Sequence, residues 1–118
     1  MRKLLEEMQA EVFKALGHST RVRIVSILAR EGHKCVCELV ERLGFDQSTV
    51  SKHLSVLKVA GIVTSSKQGL NVSYEIAMPC VVRFLGCIKC VAESEPGEPD
   101  CASCKALPGR YARREVIK

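Results

Sequence analysis

The chain has 118 residues, 47% of them hydrophobic, and carries 18 Lys and Arg against 13 Asp and Glu for a formal charge of +5. That length suits one domain with a modest core, and with 4% aromatics and no Trp the core must be built from Leu, Val and Ile. The N-terminal residues mix charged and apolar positions and no apolar run approaches the roughly 18 residues a bilayer span needs, so no signal peptide, membrane span or membrane partner is expected, and a cytoplasmic protein is.

Taken in chain order, Leu5, Met8, Val12 and Leu16 form a helical stripe. Ser19 is placed to cap a second helix that runs to about Arg30, with Val22, Val25, Ile27 and Leu28 as core candidates. Cys37 to Leu43 reads as a short helix with Leu39, Val40 and Leu43 inward and Gly44 as its C-cap. A turn of three or four residues, Gly44 to Gln47, follows. Val50, Leu54 and Leu57 then recur at i, i+4 and i+7, which turns Ser48, Thr49, Ser51, Lys52 and Ser55 outward. Beyond Gly61, Ile62 to Ser66 and Asn71 to Ile76 read as two strands with Lys67 to Gly69 as the hairpin tip, and Val72, Tyr74 and Ile76 share one face of the second. Met78 to about Ala92 is too apolar for a free surface helix and suits packing against a partner subunit. Glu93 to Asp100, acidic and with two prolines, reads as a linker, which divides the chain into a body over 1–92 and a cysteine-containing tail over 93–118.

Helix, tight turn with Gly, second helix with a hydroxylated and cationic face, then a hairpin with a basic tip is the layout of a winged helix-turn-helix. The fold class is therefore mainly α with a β-hairpin wing. The outward face suits phosphate and base-edge contacts in a major groove, and it also suits plain solvation. Charge favours the first use. Residues 1–91 hold 13 basic and 8 acidic side chains while 92–118 hold five of each, so the excess positive charge lies in the body. Gln47, Ser48, Thr49, Ser51, Lys52 and His53 on the second helix and Lys67 on the wing are the candidate DNA contacts.

From about Phe13 to Glu75 the chain resembles the ArsR/SmtB family of winged-helix repressors, and more narrowly its arsenical-resistance regulators. The residues that carry the resemblance are Cys35, Cys37 and Leu39; Gln47 and Ser48 with Ser51 to Leu54; Leu57 with Gly61 to Val63; and Lys67 to Gly69 with Val72 to Tyr74. The resemblance implies a homodimer joined through its first and last helices. It also implies binding to a palindromic double-stranded operator until an inducer enters, and trivalent arsenic or antimony held by Cys35 and Cys37.

The chemistry of those residues can be weighed separately. Seven cysteines in a reducing compartment read as free thiols or metal ligands rather than as a disulfide framework. As(III) and Sb(III) are soft centres that prefer thiolates, and a helix N-terminus should lower a thiol's pKa. Yet two positions on a regular helix are turned roughly 200° apart. Cys35 and Cys37 can therefore share an ion only if Cys35 precedes the helix or its first turn unwinds; otherwise the two thiols merely pack. The arsenic-sensing pattern often has a third cysteine three residues after the second, and Val40 stands there. Cys80, the pairs Cys87/Cys90 and Cys101/Cys104, or a small cellular thiol are the alternatives. The two pairs are Cys-x2-Cys motifs whose four thiolates also suit one tetrahedral ion, which keeps Cd(II), Pb(II) or Zn(II) open. A repressor that senses oxidation or persulfide through distant cysteines such as Cys37 and Cys87 is a further alternative. An enzyme is not expected, because neither Cys-x2-Cys follows a strand in a βαβ pattern and no phosphate loop or triad spacing is present.

Overall fold

The computed structural model describes residues 4–93; Glu93, the first residue of the expected linker, ends the last helix, and the rest of that linker, the tail pair Cys101/Cys104 and Arg110 to Lys118 lie outside the described residues. The order is α1 (Leu5–Leu16), α2 (Ser19–Glu31), β1 (Lys34–Cys35), α3 (Val36–Leu43), α4 (Gln47–Val59), β2 (Val63–Gln68), β3 (Asn71–Ile76) and α5 (Pro79–Glu93). No described helix is long and apolar enough to cross a membrane.

The apolar stripe of α4 organises the core. Val50, Leu54 and Leu57 are fully buried, and α4 packs on α1, α2, α3 and β2. Ile24, Val25, Ile27 and Leu28 of α2, Leu39 of α3 and Ile62 complete the centre. Ile24 was not among the residues expected there; Val22, which was, is only half-buried. The buried face of α2 is centred on Ile24, Val25, Ile27 and Leu28, and Val22 lies at its margin.

Each helix end has a local cause. Gly44 closes α3 in the left-handed conformation (φ 79°). α4 ends in a Schellman arrangement: Ile62 N–H donates to the Leu57 carbonyl and Gly61 N–H to that of Lys58, which requires the positive φ of 83° at Gly61. The cap of α2 differs from expectation. Ser19 is the first helical residue, and His18, with extended backbone, accepts the Thr20 N–H on Nδ1 at 3.1 Å. An imidazole nitrogen reaches the second amide of the helix as a hydroxyl would.

The sheet has order β1-β3-β2 and is antiparallel throughout. β3 matches the expected Asn71 to Ile76. β2 runs on to Gln68, so the tip is Gly69–Leu70, a two-residue turn, and Lys67 lies within the strand opposite Val72. β1 was not foreseen. Its two residues pair with the wing, Lys34 with Tyr74 and Cys35 with Ser73.

The stripe on α1 is real in sequence, but Leu5 and Met8 are exposed and only Ala15 and Leu16 are buried. α5, considered by itself, begins with Pro79 at its first position, where a missing N–H costs nothing, and exposes Phe84 and Ile88.

Leu54→Ala should lower unfolding stability by about 2–5 kcal/mol in denaturant titration, because a fully buried side chain leaves a cavity. Leu70→Ala, at a fully exposed site, should change it by less than about 0.5 kcal/mol. Equal effects would contradict the core described.

Candidate nucleic-acid interface and thiol site

A three-residue turn joins α3 to α4, whose outer face presents Gln47, Ser48, Lys52 and Ser55 to solvent, with Thr49, Ser51 and His53 half-buried. Asp46, the N-cap of α4, takes hydrogen bonds from the Ser48 and Thr49 hydroxyls at 2.5 Å each. These two bonds, Ser48 first, hold its carboxyl below the ordinary value. They also fix the two hydroxyls, whose oxygens keep lone pairs for an incoming donor.

His53 is engaged differently from the other candidates. Its Nδ1 accepts from Arg21 Nε at 3.2 Å, and its ring lies 4.6 Å from that of His18. Burial, then His18 and Arg21, push its pKa below the ordinary 6.5. Arg21 was not singled out from sequence, and 32 positions separate it from His53. No local periodicity connects such a pair. Lys67 is exposed on β2 beside the wing tip.

Cys35 and Cys37 are brought together. Cys35 is not in the helix: it is the N-cap of α3, with extended φ −82° and ψ 164°, while Cys37 lies in the first turn. The condition for two thiols two positions apart to share an ion is met without unwinding. The neighbouring Cys37 thiol is the largest influence on Cys35 and raises its pKa, outweighing the Glu38 backbone N–H, which lowers it. The lowered pKa expected at a helix N-terminus is thus corrected at Cys35, because two adjacent thiols resist a thiolate more than one amide favours it. Cys35 is half-buried and Cys37 exposed.

The surroundings hold this geometry. Cys35 N–H donates to Glu38 Oε1 at 3.1 Å, the return half of a capping box. That bond leads the influences holding the Glu38 carboxyl below its ordinary value. Lys34 Nζ lies 3.6 Å from carboxylate oxygens of both Glu31 and Glu38, and Arg42 pairs with Glu31. The end of α2, β1 and α3 are therefore tied by one charged cluster.

Cys80 is exposed on α5, and Cys87 and Cys90 are half-buried one turn apart. Among the described residues no three His, Cys, Asp or Glu side chains converge as a metal site.

Residues 18–65 match the family described as bacterial regulatory protein, arsR family. Over 105 residues the sequence is 31% identical to the probable mercury resistance operon repressor of Streptomyces lividans, pairing 89% of this chain with 82% of that one. The chain belongs to the ArsR family. Another relative, the arsenic resistance transcriptional regulator ArsR1 of Pseudomonas putida, is 43% identical over 65 residues, which is 55% of this chain and 51% of that protein. The chain thus spans about half of that regulator's length. The homodimeric winged helix-turn-helix DNA-binding domain of Mycobacterium bovis has the same fold, with 31% identity, a TM-score of 0.69 and coverage of 75% of this chain and 82% of that domain. ArsR-family proteins are DNA-binding transcriptional regulators and not enzymes, and the winged fold expected from the sequence is the one found.

Lys52→Ala should weaken operator binding uniformly across sequences and reduce the slope of log K against log salt by about 0.9 for the lost phosphate contact. Fluorescence anisotropy at several salt concentrations measures this. An unchanged slope would remove Lys52 from the interface.

Proposed function

We propose that this chain is a homodimeric repressor whose hold on operator DNA is released when As(III) or Sb(III) binds Cys35 and Cys37. The supporting observation is the extended backbone of Cys35 at the N-cap of α3, which leaves its thiol free of the helical turn that would separate it from Cys37, on the helix that packs against α4. In this reading Gln47, Ser48, Thr49, Ser51 and Lys52 face the major groove, Lys67 reaches the backbone or minor groove beside it, and His53 supports the helix from behind. The P. putida relative is named for arsenic and the S. lividans relative for mercury, both thiophilic. Two soft donors suit either and suit a hard cation poorly.

The chemistry balances without an oxidant. Arsenous acid exchanges two hydroxides for two cysteine sulfurs, the thiol protons leave with the hydroxides as two waters, and arsenic stays trivalent. A third sulfur, from a small thiol or another cysteine, would displace the last hydroxide. Glu38, whose carboxylate lies beside the Cys35 thiol, is placed to carry a departing proton.

Binding at Cys35 would draw on two structural bonds of that residue. Its sulfur accepts the Glu38 N–H that caps α3, and its backbone belongs to the strand paired with Ser73 of the wing. An ion that repositions the sulfur therefore disturbs the first turn of α3, and through it α4, and also the edge of the wing.

A two-coordinate ion such as Hg(II) is the second reading, favoured by the lack of a third converging donor among the described residues. Sensing of Cd(II), Pb(II), Zn(II) or thiol oxidation through Cys87, Cys90, Cys101 and Cys104 is the alternative that relocates the site.

Isothermal titration of the reduced chain separates these readings. As(III) affinity should be nearly constant between about pH 6.5 and 8, since arsenous acid carries the thiol protons away as water, while Cd(II) should tighten about tenfold per pH unit for each thiol it deprotonates. Replacing Cys35 and Cys37 by Ser should abolish As(III) binding. Retention by that variant, with loss when Cys87, Cys90, Cys101 and Cys104 are replaced, would overturn the proposed site.

A further inference from the structure

A chain of polar contacts joins the end of α1, the start of α2 and the middle of α4. His18 accepts the Thr20 N–H on Nδ1 at 3.1 Å and so begins α2. Its ring lies against that of His53, centroids 4.6 Å apart and planes inclined by 51°. His53 Nδ1 accepts from Arg21 Nε at 3.2 Å, and the same guanidinium donates from Nη1 to the Ala15 carbonyl, also at 3.2 Å. One arginine thus holds the last turn of α1 to the helix assigned to the DNA groove. Two histidines take part only as acceptors through Nδ1. An imidazolium has no acceptor nitrogen, so either ring, once protonated, must surrender its bond.

We infer that His18 and Arg21 are positioning residues for α4, acting through His53, and that acidification weakens operator binding by the inducer-free protein independently of the cysteines. The inference rests on the reading of α4 as the DNA-contacting helix and adds a control on that contact separate from the thiol site.

Most of the charged groups around His53 are cationic, and Glu11 is the one carboxylate named among them. Arg21 faces it from α2 and His18 from the residue before α2. Lys52 adjoins it on α4, and Lys14 and Glu11 of α1 line the neighbouring groove that Arg21 also borders. A proton on His53 would face the Arg21 cation across what had been a hydrogen bond. Burial first, then His18 and Arg21, hold His53 below the ordinary histidine value of 6.5. The sign follows from that depression. The bond's contribution is complete above the unfolded value and is lost as pH falls through the lower folded one, so the response lies below pH 6.5.

The direction of the effect is diagnostic. Protonation by itself adds positive charge near a polyanion and should tighten binding. Loosening on acidification therefore reports the broken network rather than the added charge.

The test uses the reduced full chain and a duplex selected from a random-sequence library at about pH 7.5, followed by anisotropy at fixed ionic strength from about pH 7.5 to about pH 5.5. Wild type should lose about tenfold or more in affinity, the scale of one hydrogen bond to a charged group lost in each subunit. His53→Gln, whose amide oxygen still accepts from Arg21 and does not titrate, should hold its affinity within about twofold across the range. His18→Asn, which keeps an N-cap acceptor, should remove part of the loss. Arg21→Ala should bind more weakly at neutral pH and respond less to acid. The Cys35→Ser/Cys37→Ser variant should respond as wild type does. Wild-type affinity that is constant or rises on acidification, or a full acid response in His53→Gln, would overturn the inference while leaving DNA binding intact. Failure to select any duplex would overturn the reading of α4 itself. Imidazole 15N shifts at neutral pH supply an arm without DNA: a protonated Nδ1 on His53 would overturn the network directly.

Discussion

The extended backbone at Cys35 is the constraint on which the thiol site and its reach into the fold depend. With φ −82° and ψ 164° the residue ends a strand and caps a helix at once. In helical conformation its side chain would point away from that of Cys37 and its backbone could not pair with Ser73. As it stands, one residue brings two thiols together, satisfies an otherwise unpaired amide of α3 and anchors a strand on the wing. A soft ion at these sulfurs would meet three structural functions in one place.

The core would transmit such a change because α4 has little freedom of its own. Its inner stripe of Val50, Leu54 and Leu57 is fully enclosed, α3 packs directly on it, and the Gly61 turn commits its end to the start of β2. A close-packed helix moves as a body with its neighbours rather than yielding locally. The cluster of Glu31, Lys34, Glu38 and Arg42 around the α3 entrance supports the same register, though its ion pairs are solvent-exposed and individually contribute little. Geometry, more than the strength of any one pair, links the thiols to α4.

What could be read from the sequence followed local periodicity. The α4 stripe, the Gly44 stop, the limits of β3 and the start of α5 near Pro79 all leave short-range signals, and each stands where expected. The winged fold follows from their order. β1 left no signal because two residues have no period, and only the register of β3 makes them a strand. The hairpin tip shifted to Gly69–Leu70 because β2 pairs as far as Gln68, which cross-strand register decides. Ser19 carried the expected side chain for a cap, but His18 was one position better placed. The link from Arg21 to His53 spans elements far apart in the chain and could be found only in three dimensions. At the thiol site the spacing of Cys35 and Cys37 named the residues and posed the geometric condition, and the backbone of β1 supplies the answer.

Release of DNA by the inducer is the most direct test of the thiol mechanism. Anisotropy of a selected, labelled duplex bound to the reduced full chain, titrated with As(III), should fall to the free value near one equivalent per subunit. The Cys35→Ser/Cys37→Ser protein should stay bound throughout, and a protein lacking Cys87, Cys90, Cys101 and Cys104 should release as wild type does. Release that survives the first substitution and disappears with the second would place the sensor at the C-terminal cysteines and contradict the mechanism built on Cys35.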